Sequence, residues 1–542
     1  MAMTTNARSV NLIRSLNSSF HFAQTTTLVN TTTTTILNIP HSPQPQQTTS
    51  DQVYGFVDTK RLFSSVNTCK LIRSTVNLSV ASMEPVVDLG MWVMSSRLME
   101  VGLVKKMVLG VIKHTVYEHF VAGADTGEVN RTVKKLWESG CDAMSHHSTV
   151  LLFHVSPPLS LDRLDSTLVS TRSRMGTSGL LASGGFDKGN GHSRSMLTRD
   201  LGPYPFTVDD ESCDKNSQPI LKTVESTQFL PPSSFRGGED HSDFPVSLLK
   251  RVSGLLRWEY KNPSSYPLQW KRKTLPIFAE CSAFYHTLQK PSPLTTTEEH
   301  DLELVHKRLT TICDKALESN VPVVIDAEDT SIQPGIDCFT YWATVKYNKG
   351  TKPLVYGTVQ AYLKDAGQRL FETKKAADKM GLPIGFKLVR GAYMSSERKL
   401  AHSLGVESPI HNSINDTHHC FNECASYMLD EVSSGPGGLI LATHNLKSGK
   451  MAARKARDLG IGKDSDKLEF ASLYGMADAM SFGLRNAGFG VSKYLPFGPV
   501  SEIMPYLLRR AEENKGLLSS SNLDRHLMMQ ATCILLCIHN CF

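Results

Sequence analysis

The stretch Leu468-Glu-Phe-Ala-Ser-Leu-Tyr-Gly-Met-Ala-Asp-Ala-Met-Ser-Phe-Gly-Leu-Arg-Asn-Ala-Gly-Phe-Gly-Val-Ser-Lys-Tyr-Leu495 decides the fold class. Leu468–Leu473 is a short apolar run that reads as a strand buried on both faces. Met476–Ala487 reads as a helix, and Val491–Leu495 as the next strand. The unit repeats upstream. Strand patterns occur at Pro322–Ile325, Leu354–Val359, Gly385–Arg390 and Leu439–Ala442, with helix patterns at Glu298–Ser319, Ala361–Met380, Asn412–Val432 and Ser448–Leu459. Six strands in succession with helices between most of them point to a parallel α/β sheet, either doubly wound or a (β/α)8 barrel.

Polar residues gather where these strands end. Asp326 follows the first, Gln360 ends the second, and Arg390, Gly391 and Tyr393 follow the third. His444 and Asn445 follow the fourth, Tyr474 and Gly475 the fifth, and Tyr494 ends the sixth. In an α/β barrel all these ends meet at one mouth, where active sites are built. Glu328 and Asp329, beside Asp326, are expected to point away. His444 is a candidate base, but a single histidine hydrogen-bonding a cofactor or the core is the favoured reading.

After the sixth strand the chain turns at Pro496-Phe-Gly-Pro499 and enters another helix pattern. At ~100° per residue, Tyr506, Arg509, Arg510 and Glu513 share one face. Two guanidinium forks beside a tyrosine and an acid suit a small carboxylate. The plainer reading is a solvated face with one Arg509–Glu513 pair. Position after the sixth strand of the array favours the functional reading.

Composition narrows the classes. The 542 residues are 40% hydrophobic and 20% charged, with a net charge of +6. No long Lys/Arg run occurs, so no nucleic-acid partner is expected. The apolar run Ala531–Ile538 is too short to span a bilayer. The eleven cysteines contain no CxxC, and no metal site is expected.

Residues 1–50 hold no Asp or Glu, carry Arg8 and Arg14, and are rich in Ser and Thr, as transit peptides are. From Glu84 to about Gly140 the pattern is helical, and Val104, Met107, Val108, Val111, Ile112 and Phe120 recur at three-to-four spacing. Core packing is the expected use of that face, with a membrane surface as the alternative. Residues 145–207 form a Gly/Ser-rich stretch read as a disordered insertion, in which only Thr149–Val155 suggests a strand.

Six motifs in order resemble one family. They are Ile325-Asp-Ala-Glu-Asp329, Val359-Gln-Ala-Tyr362, Phe386-Lys-Leu-Val-Arg-Gly-Ala-Tyr393, Ala442-Thr-His-Asn445, Tyr474-Gly-Met476 and Tyr506-Leu-Leu-Arg-Arg510. Together they resemble the proline dehydrogenases, in detail the plant mitochondrial form. The resemblance runs over about residues 61–144 and 209–530, with an interruption near 235–244. It implies an FAD-binding (β/α)8 TIM-type barrel over 209–515, a helical arm over 61–144 and a C-terminal tail over 516–542. It also implies oxidation of L-proline to Δ1-pyrroline-5-carboxylate, with electrons passed to a quinone. The location implied is the matrix side of the mitochondrial inner membrane, with peripheral membrane association; a chloroplast is the less favoured address.

On matching positions, the resemblance gives Arg509 and Arg510 the substrate carboxylate and Tyr494 and Tyr506 the pyrrolidine ring. Glu513 holds the arginine pair, and Asp326 lines the site between flavin and substrate. Gln360, Lys387, Val389, Thr443 and His444 are the implied FAD contacts.

The family has two strands before Asp326, the second ending in an active-site lysine. Here neither strand is legible, and no lysine lies between Lys222 and Lys250. The expectation is a barrel whose first two strands are disrupted. The alternative readings are a catalytically impaired or non-enzymatic paralogue or mis-spliced product with an incomplete barrel, and another flavin barrel oxidoreductase.

Overall fold

The computed structural model describes residues 58–81, 83–147, 235–236, 246–264, 266–278, 287–462, 465, 467–501, 503–504, 506–508, 510 and 518–539. Its centre is a curled parallel sheet of β1 (Asp142–His147), β2 (Phe235–Arg236), β3 (Val323–Ile325), β4 (Val355–Gln360), β5 (Ile384–Val389), β6 (Gly437–Ala442), β7 (Leu468–Leu473) and β8 (Gly490–Phe497). The order is β2-β1-β8-β7-β6-β5-β4-β3, and every pairing is parallel. Of the two architectures that the alternation allows, this is the (β/α)8 one, with a seam between β2 and β3 among the described residues.

Two strands depart from expectation. Strand β1 pairs with β8 along its whole length, from Asp142↔Ser492 to His147↔Phe497. Ser145–His147, read as the start of an insertion, therefore belong to the sheet. Strand β2 is present too, cut to two residues. The first strand is thus intact rather than disrupted, and the second is short. Neither has an apolar run, and pairing alone defines them. The strand suggested at Thr149–Val155 lies outside the described residues, as does residues 1–50.

The helices are α1 (Thr59–Leu62), α2 (Thr68–Ala81), α3 (Glu84–Ser95), α4 (Gly102–Ile112), α5 (Thr126–Glu138), α6 (Val246–Lys261), α7 (Thr296–Ser319), α8 (Gln333–Tyr347), α9 (Ala366–Lys379), α10 (Met394–Ser403), α11 (Ile414–Ser434), α12 (Leu446–Asp458), α13 (Asp478–Asn486) and α14 (Leu518–His539). Helices α7 and α11 open with capping boxes, Thr295 with Glu298 and Ser413 with Asp416. Helix α8 is missing from the periodicity reading because nearly all of it is buried, so no polar face marks the period. Helix α14, read only as a tail, packs Leu527, Met528 and Ala531 into the core and lies against α2. Helix α4 buries no described residue, so Met107 and Val111 stay exposed, against the expectation of core packing, and Phe120, further along, is buried.

Strand parity separates two environments. Val323, Ile325, Phe386, Leu388, Leu439, Leu441, Phe470 and Val491 join the large core under the helices. Val324, Tyr356, Ile440 and Ala471, with Ala442 and Tyr494 against them, form a separate cluster inside the curl. Tyr356 fills that interior. A Cβ on Gly385 would lie 2.6 Å from its ring, and one on Gly438 would lie 2.3 Å from its hydroxyl. Both strands pass so close that only glycine fits. Gly385→Ala is expected to destabilise the fold by about 1–3 kcal/mol, read as a lower midpoint in urea unfolding.

The C-terminal helix is locked to the barrel by one carboxylate. Asp524 accepts the N–H of Asp478 (3.0 Å) and of Ala479 (2.9 Å). It thereby caps α13, whose own N-cap residue, Ala477 (φ 51°), has no side chain able to do so. Burial, then the neighbouring Asp478, pushes the Asp524 carboxyl up to about 7, against the two N–H donors and Lys493. A folded value above the unfolded one gives stability that is complete below the ordinary carboxylate range and is lost as pH rises through about 7. The wild-type Tm should therefore fall relative to that of Asp524→Asn as pH rises from about 5 to about 8. Thermal unfolding of the two proteins across that range checks it.

Candidate active site

The inward parity of each strand carries side chains up to the mouth. On β4 the inward positions are Tyr356, Thr358 and Gln360; on β5 they are Gly385, Lys387 and Val389. Register sets them side by side: Thr358 pairs with Lys387, and Gln360 with Val389. Asp326 extends the inward parity of Val324 one step past β3. There it forms an ion pair with the buried Lys387. The Thr358 hydroxyl donates to Ile325 O at 2.8 Å and lies 3.4 Å from Asp326 Oδ1. Gln360 is buried and donates from Nε2 to Glu328 O at 2.7 Å, holding the β3 loop against β4.

Glu328 does not point away as expected. It is buried, and its carboxylate hydrogen-bonds Tyr393. Burial first, and then Glu328, hold the Tyr393 phenol well above its ordinary value. Asp329 does turn to a local role and accepts from the N–H of Ser331 at 2.8 Å.

A half-buried cation stands at the rim between β5 and β6. Arg390 donates from Nε to His418 Nδ1 (2.9 Å), from one amino group to Thr443 Oγ1 (2.6 Å), and from the other to Ser448 Oγ (2.8 Å). It also lies 4.3 Å from the centre of the Phe421 ring. Each of these hydrogen-bond acceptors is neutral. Burial pulls the guanidinium down to about 10, the direction expected of a desolvated cation.

His444 is fixed as a neutral ring. Its Nε2 accepts from Leu473 N at 3.1 Å, which leaves the ring proton on Nδ1 as a donor. Burial lowers its value to about 3, and the fields of Lys493, Arg510 and Arg390 act in the same direction. The ring is no base near neutral pH, so the candidate role of base gives way to that of a neutral donor.

The last strand supplies Tyr494, which packs against the interior cluster. Its carbonyl accepts the N–H of Tyr474 at 3.0 Å, tying the ends of β7 and β8 together. The arm helps to hold this edge: Ala122 N donates to Pro496 O at 2.8 Å, Gly498 N to Gly123 O at 2.9 Å, and Tyr117 Oη to Gly498 O at 2.7 Å. Helical turns follow within 500–510. Tyr506 is buried there, and the Arg510 guanidinium stacks 5.0 Å from the centre of its ring. Arg509 and Glu513 lie outside the described residues.

The structure thus brings Asp326, Gln360, Lys387, Val389, Thr443, His444, Tyr494, Tyr506 and Arg510 to one end of the sheet. Thr358 was legible by parity and was missed. His418 and Ser448, which anchor Arg390, sit inside helices α11 and α12, and no local signal marks them. The donor set suits a cofactor with a polar planar ring and an anionic part. The amide of Gln360, the Lys387 ammonium, the Thr443 hydroxyl and the neutral His444 offer donors, and the half-buried Arg390 has only neutral hydrogen-bond acceptors among the described residues.

Comparisons with known proteins give the family. Residues 240–523 match the family described as proline dehydrogenase. The chain is 45% identical over 492 residues to proline dehydrogenase 1, mitochondrial, of Arabidopsis thaliana, covering 90% of this chain and 87% of that protein. It is 45% identical over 475 residues to proline dehydrogenase 2, mitochondrial, of the same plant, covering 87% and 88%. Among solved structures, proline utilization A from Bdellovibrio bacteriovorus, inactivated by N-propargylglycine, superposes with a TM-score of 0.53 at 16% identity. That match covers 87% of this chain and 42% of the other, and it shows the shared fold.

Proposed function

The chain belongs to the proline dehydrogenase family, and from that premise we propose that it oxidises L-proline to Δ1-pyrroline-5-carboxylate with FAD as cofactor and a membrane quinone as electron acceptor. The observation that carries the reading is Arg510 stacked on Tyr506, close enough to His444 to act on its ionisation. An anion anchor beside the mouth of a barrel lined with polar donors is what a small amino acid needs.

A flavin bound there would supply the two-electron acceptor for the C–H beside the ring nitrogen and the route of those electrons to quinone. The protein contributes position and field. Arg510, with Arg509, binds the substrate carboxylate and so fixes which C–H faces the cofactor. Tyr494 and Tyr506 pack the pyrrolidine ring and exclude water, and Glu513 orients the arginine pair. Gln360, Lys387, Val389, Thr443 and His444 hold the cofactor. Lys387 adds a positive charge at the base of the site, balanced by Asp326, which would line the site between cofactor and substrate. His444 offers a donor at Nδ1 without a competing charge, because burial keeps it neutral.

The relatives are named mitochondrial, and the acid-free residues 1–50 suit a transit peptide, so the proposed address is the matrix face of the mitochondrial inner membrane. The proposed organisation is an N-terminal arm, an insertion following β1, the barrel, and a C-terminal helix closing on the arm.

A screen of proline, hydroxyproline and other small amino acids as reductants of a soluble dye tests the reading. L-Proline is expected to be the preferred donor, and no turnover with any cyclic imino acid would overturn it. The second reading, a paralogue without turnover, is favoured by the two-residue β2 and by the lack of a lysine between Lys222 and Lys250. It predicts a protein that binds FAD but leaves it oxidised when L-proline is added.

A further inference from the structure

Two thiols sit one helical turn apart in α11, behind the Arg390 anchor. Neither Cys420 nor Cys424 is in a disulfide; Cys420 is 9% exposed and Cys424 3%. At ~100° per residue they share one side of the helix, turned away from His418. The Cys424 thiol donates to the Cys420 sulfur, which also accepts from the backbone N–H of Gly367 and hydrogen-bonds His411. Gly367 lies in the first turn of α9. The N-cap residue there, Asp365, makes no side-chain cap and instead pairs with Arg369 at 2.8 Å. A Cβ on Gly367 would stand 3.9 Å from Cys424 Sγ, so both sulfurs abut that helix end. His411 is held from outside: its N–H donates to Tyr362 O at 2.9 Å, its carbonyl accepts from Arg398 at 3.3 Å, and Ile410 before it bridges to Leu363.

A sulfur ringed by donors is set up as a thiolate. The Cys424 S–H first, and then His411 and the Gly367 N–H, hold the Cys420 thiol below its ordinary value, against burial. The same bond, and burial, hold Cys424 above its own. One sulfur is thus poised as the nucleophile, and the other keeps its proton until a partner forms. A cysteine that merely packs has the opposite surroundings: Cys338 in α8 is pushed up to about 12, first of all by burial. Geometry links the pair to the rim. In a helix the Cβ atoms of residues i and i+4 are about 5–6 Å apart, whereas a disulfide needs about 3.5–4.5 Å. Closing the bond must tighten this turn of α11. Phe421 lies inside that turn and His418 just before it, and they hold Arg390 by a stacked ring and a 2.9 Å hydrogen bond.

We propose that Cys420 and Cys424 are a peroxide-reactive thiol pair whose oxidation to a disulfide loosens the Arg390 anchor. The Cys420 thiolate attacks one oxygen of hydrogen peroxide. The O–O bond breaks, the departing hydroxide takes up the proton that Cys420 had given up, and Cys420 becomes a sulfenic acid as water leaves. Cys424 then gives up its proton and attacks the Cys420 sulfur. The S–S bond forms, the S–OH bond breaks, and the second hydroxide leaves with that proton as water. The two thiols lose two electrons, and the peroxide gains them. The effect through Arg390 rests on the reading of this rim as the cofactor site; the thiol chemistry stands apart from it.

Hydrogen peroxide added to the reduced full chain, with mass spectrometry of each cysteine-containing peptide, tests the chemistry. Cys420 should be oxidised at least about threefold faster than the exposed Cys69 and Cys533 and should end joined to Cys424. Cys424→Ser should stop at a Cys420 sulfenic acid that dimedone traps, and Cys420→Ser should leave Cys424 reduced. His411→Phe should slow the oxidation of Cys420 by about threefold to tenfold. The oxidised wild type should carry less flavin, reduce dye with L-proline at least about fivefold more slowly, and recover with dithiothreitol. Cys420→Ser should keep its reduced-state activity through the same treatment. The peptide readout needs no turnover, so it separates failure of the thiol site from failure of the enzymatic reading. Cys420 that reacts no faster than Cys69, or a Cys424→Ser protein with no trapped sulfenic acid, would overturn the thiol site. A Cys420–Cys424 disulfide that forms with flavin content and dye reduction unchanged would overturn its link to Arg390.

Discussion

Arg510→Met should raise the KM for L-proline by about 100-fold while lowering kcat much less. Charge-assisted hydrogen bonds to a carboxylate are worth about 1.5–3 kcal/mol, which is roughly a tenfold to 150-fold change in kcat/KM. The methionine chain keeps an apolar stem over Tyr506, so the change removes charge more than packing. The loss falls on KM because the carboxylate is gripped alike before and during hydride transfer. Arg510→Lys should recover part of the affinity, since the charge returns without the planar fork. A second signature comes from His444. Arg510 is one of the cations that depress its ionisation, so the imidazole in Arg510→Met should titrate at a higher pH than in the wild type. Steady-state kinetics with proline as the varied substrate checks the first effect, and NMR of the ring protons checks the second.

Lys387→Met should act on cofactor and stability together. The Lys387 side chain is 6% exposed and that of its partner Asp326 is 22% exposed. Removing one member of a buried pair commonly costs ~3–5 kcal/mol, because the remaining charge has no counterion. Asp326 keeps some solvent contact, so about 2–3 kcal/mol is expected here. Thr358 Oγ1, at 3.4 Å, is a weak substitute for the ammonium. The substitution also strips a donor from the proposed flavin site, so the purified protein should carry little FAD. The double change Lys387→Met with Asp326→Asn should regain much of the stability, since no unpaired charge is left, but none of the cofactor binding. Urea unfolding and the ratio of flavin to protein absorbance separate the two effects.

The contrast between these residues and the arm explains what was legible in the sequence. The sites at the strand ends were readable because a parallel strand is apolar on both faces and stops abruptly, so Asp326, Gln360 and Tyr494 stand out. Parity then decides which of them face inward. Beyond the strand ends the signal fades. Strand β1 reads Asp-Ala-Met-Ser-His-His, with only Ala143 and Met144 apolar and no run to announce it, and it exists through its ladder to β8. His418 matters only because Arg390, 28 residues away, reaches it. Asp524 caps a helix that begins 46 residues earlier. Periodicity found α4 but not its environment. An amphipathic stripe has the same spacing whether it meets a core or a lipid surface.

Anaerobic titration of the purified full chain with L-proline tests the central claim most directly. The account predicts a flavin absorption spectrum that bleaches as L-proline is added and returns when a quinone is supplied. Bound flavin that stays oxidised through an excess of L-proline would contradict it.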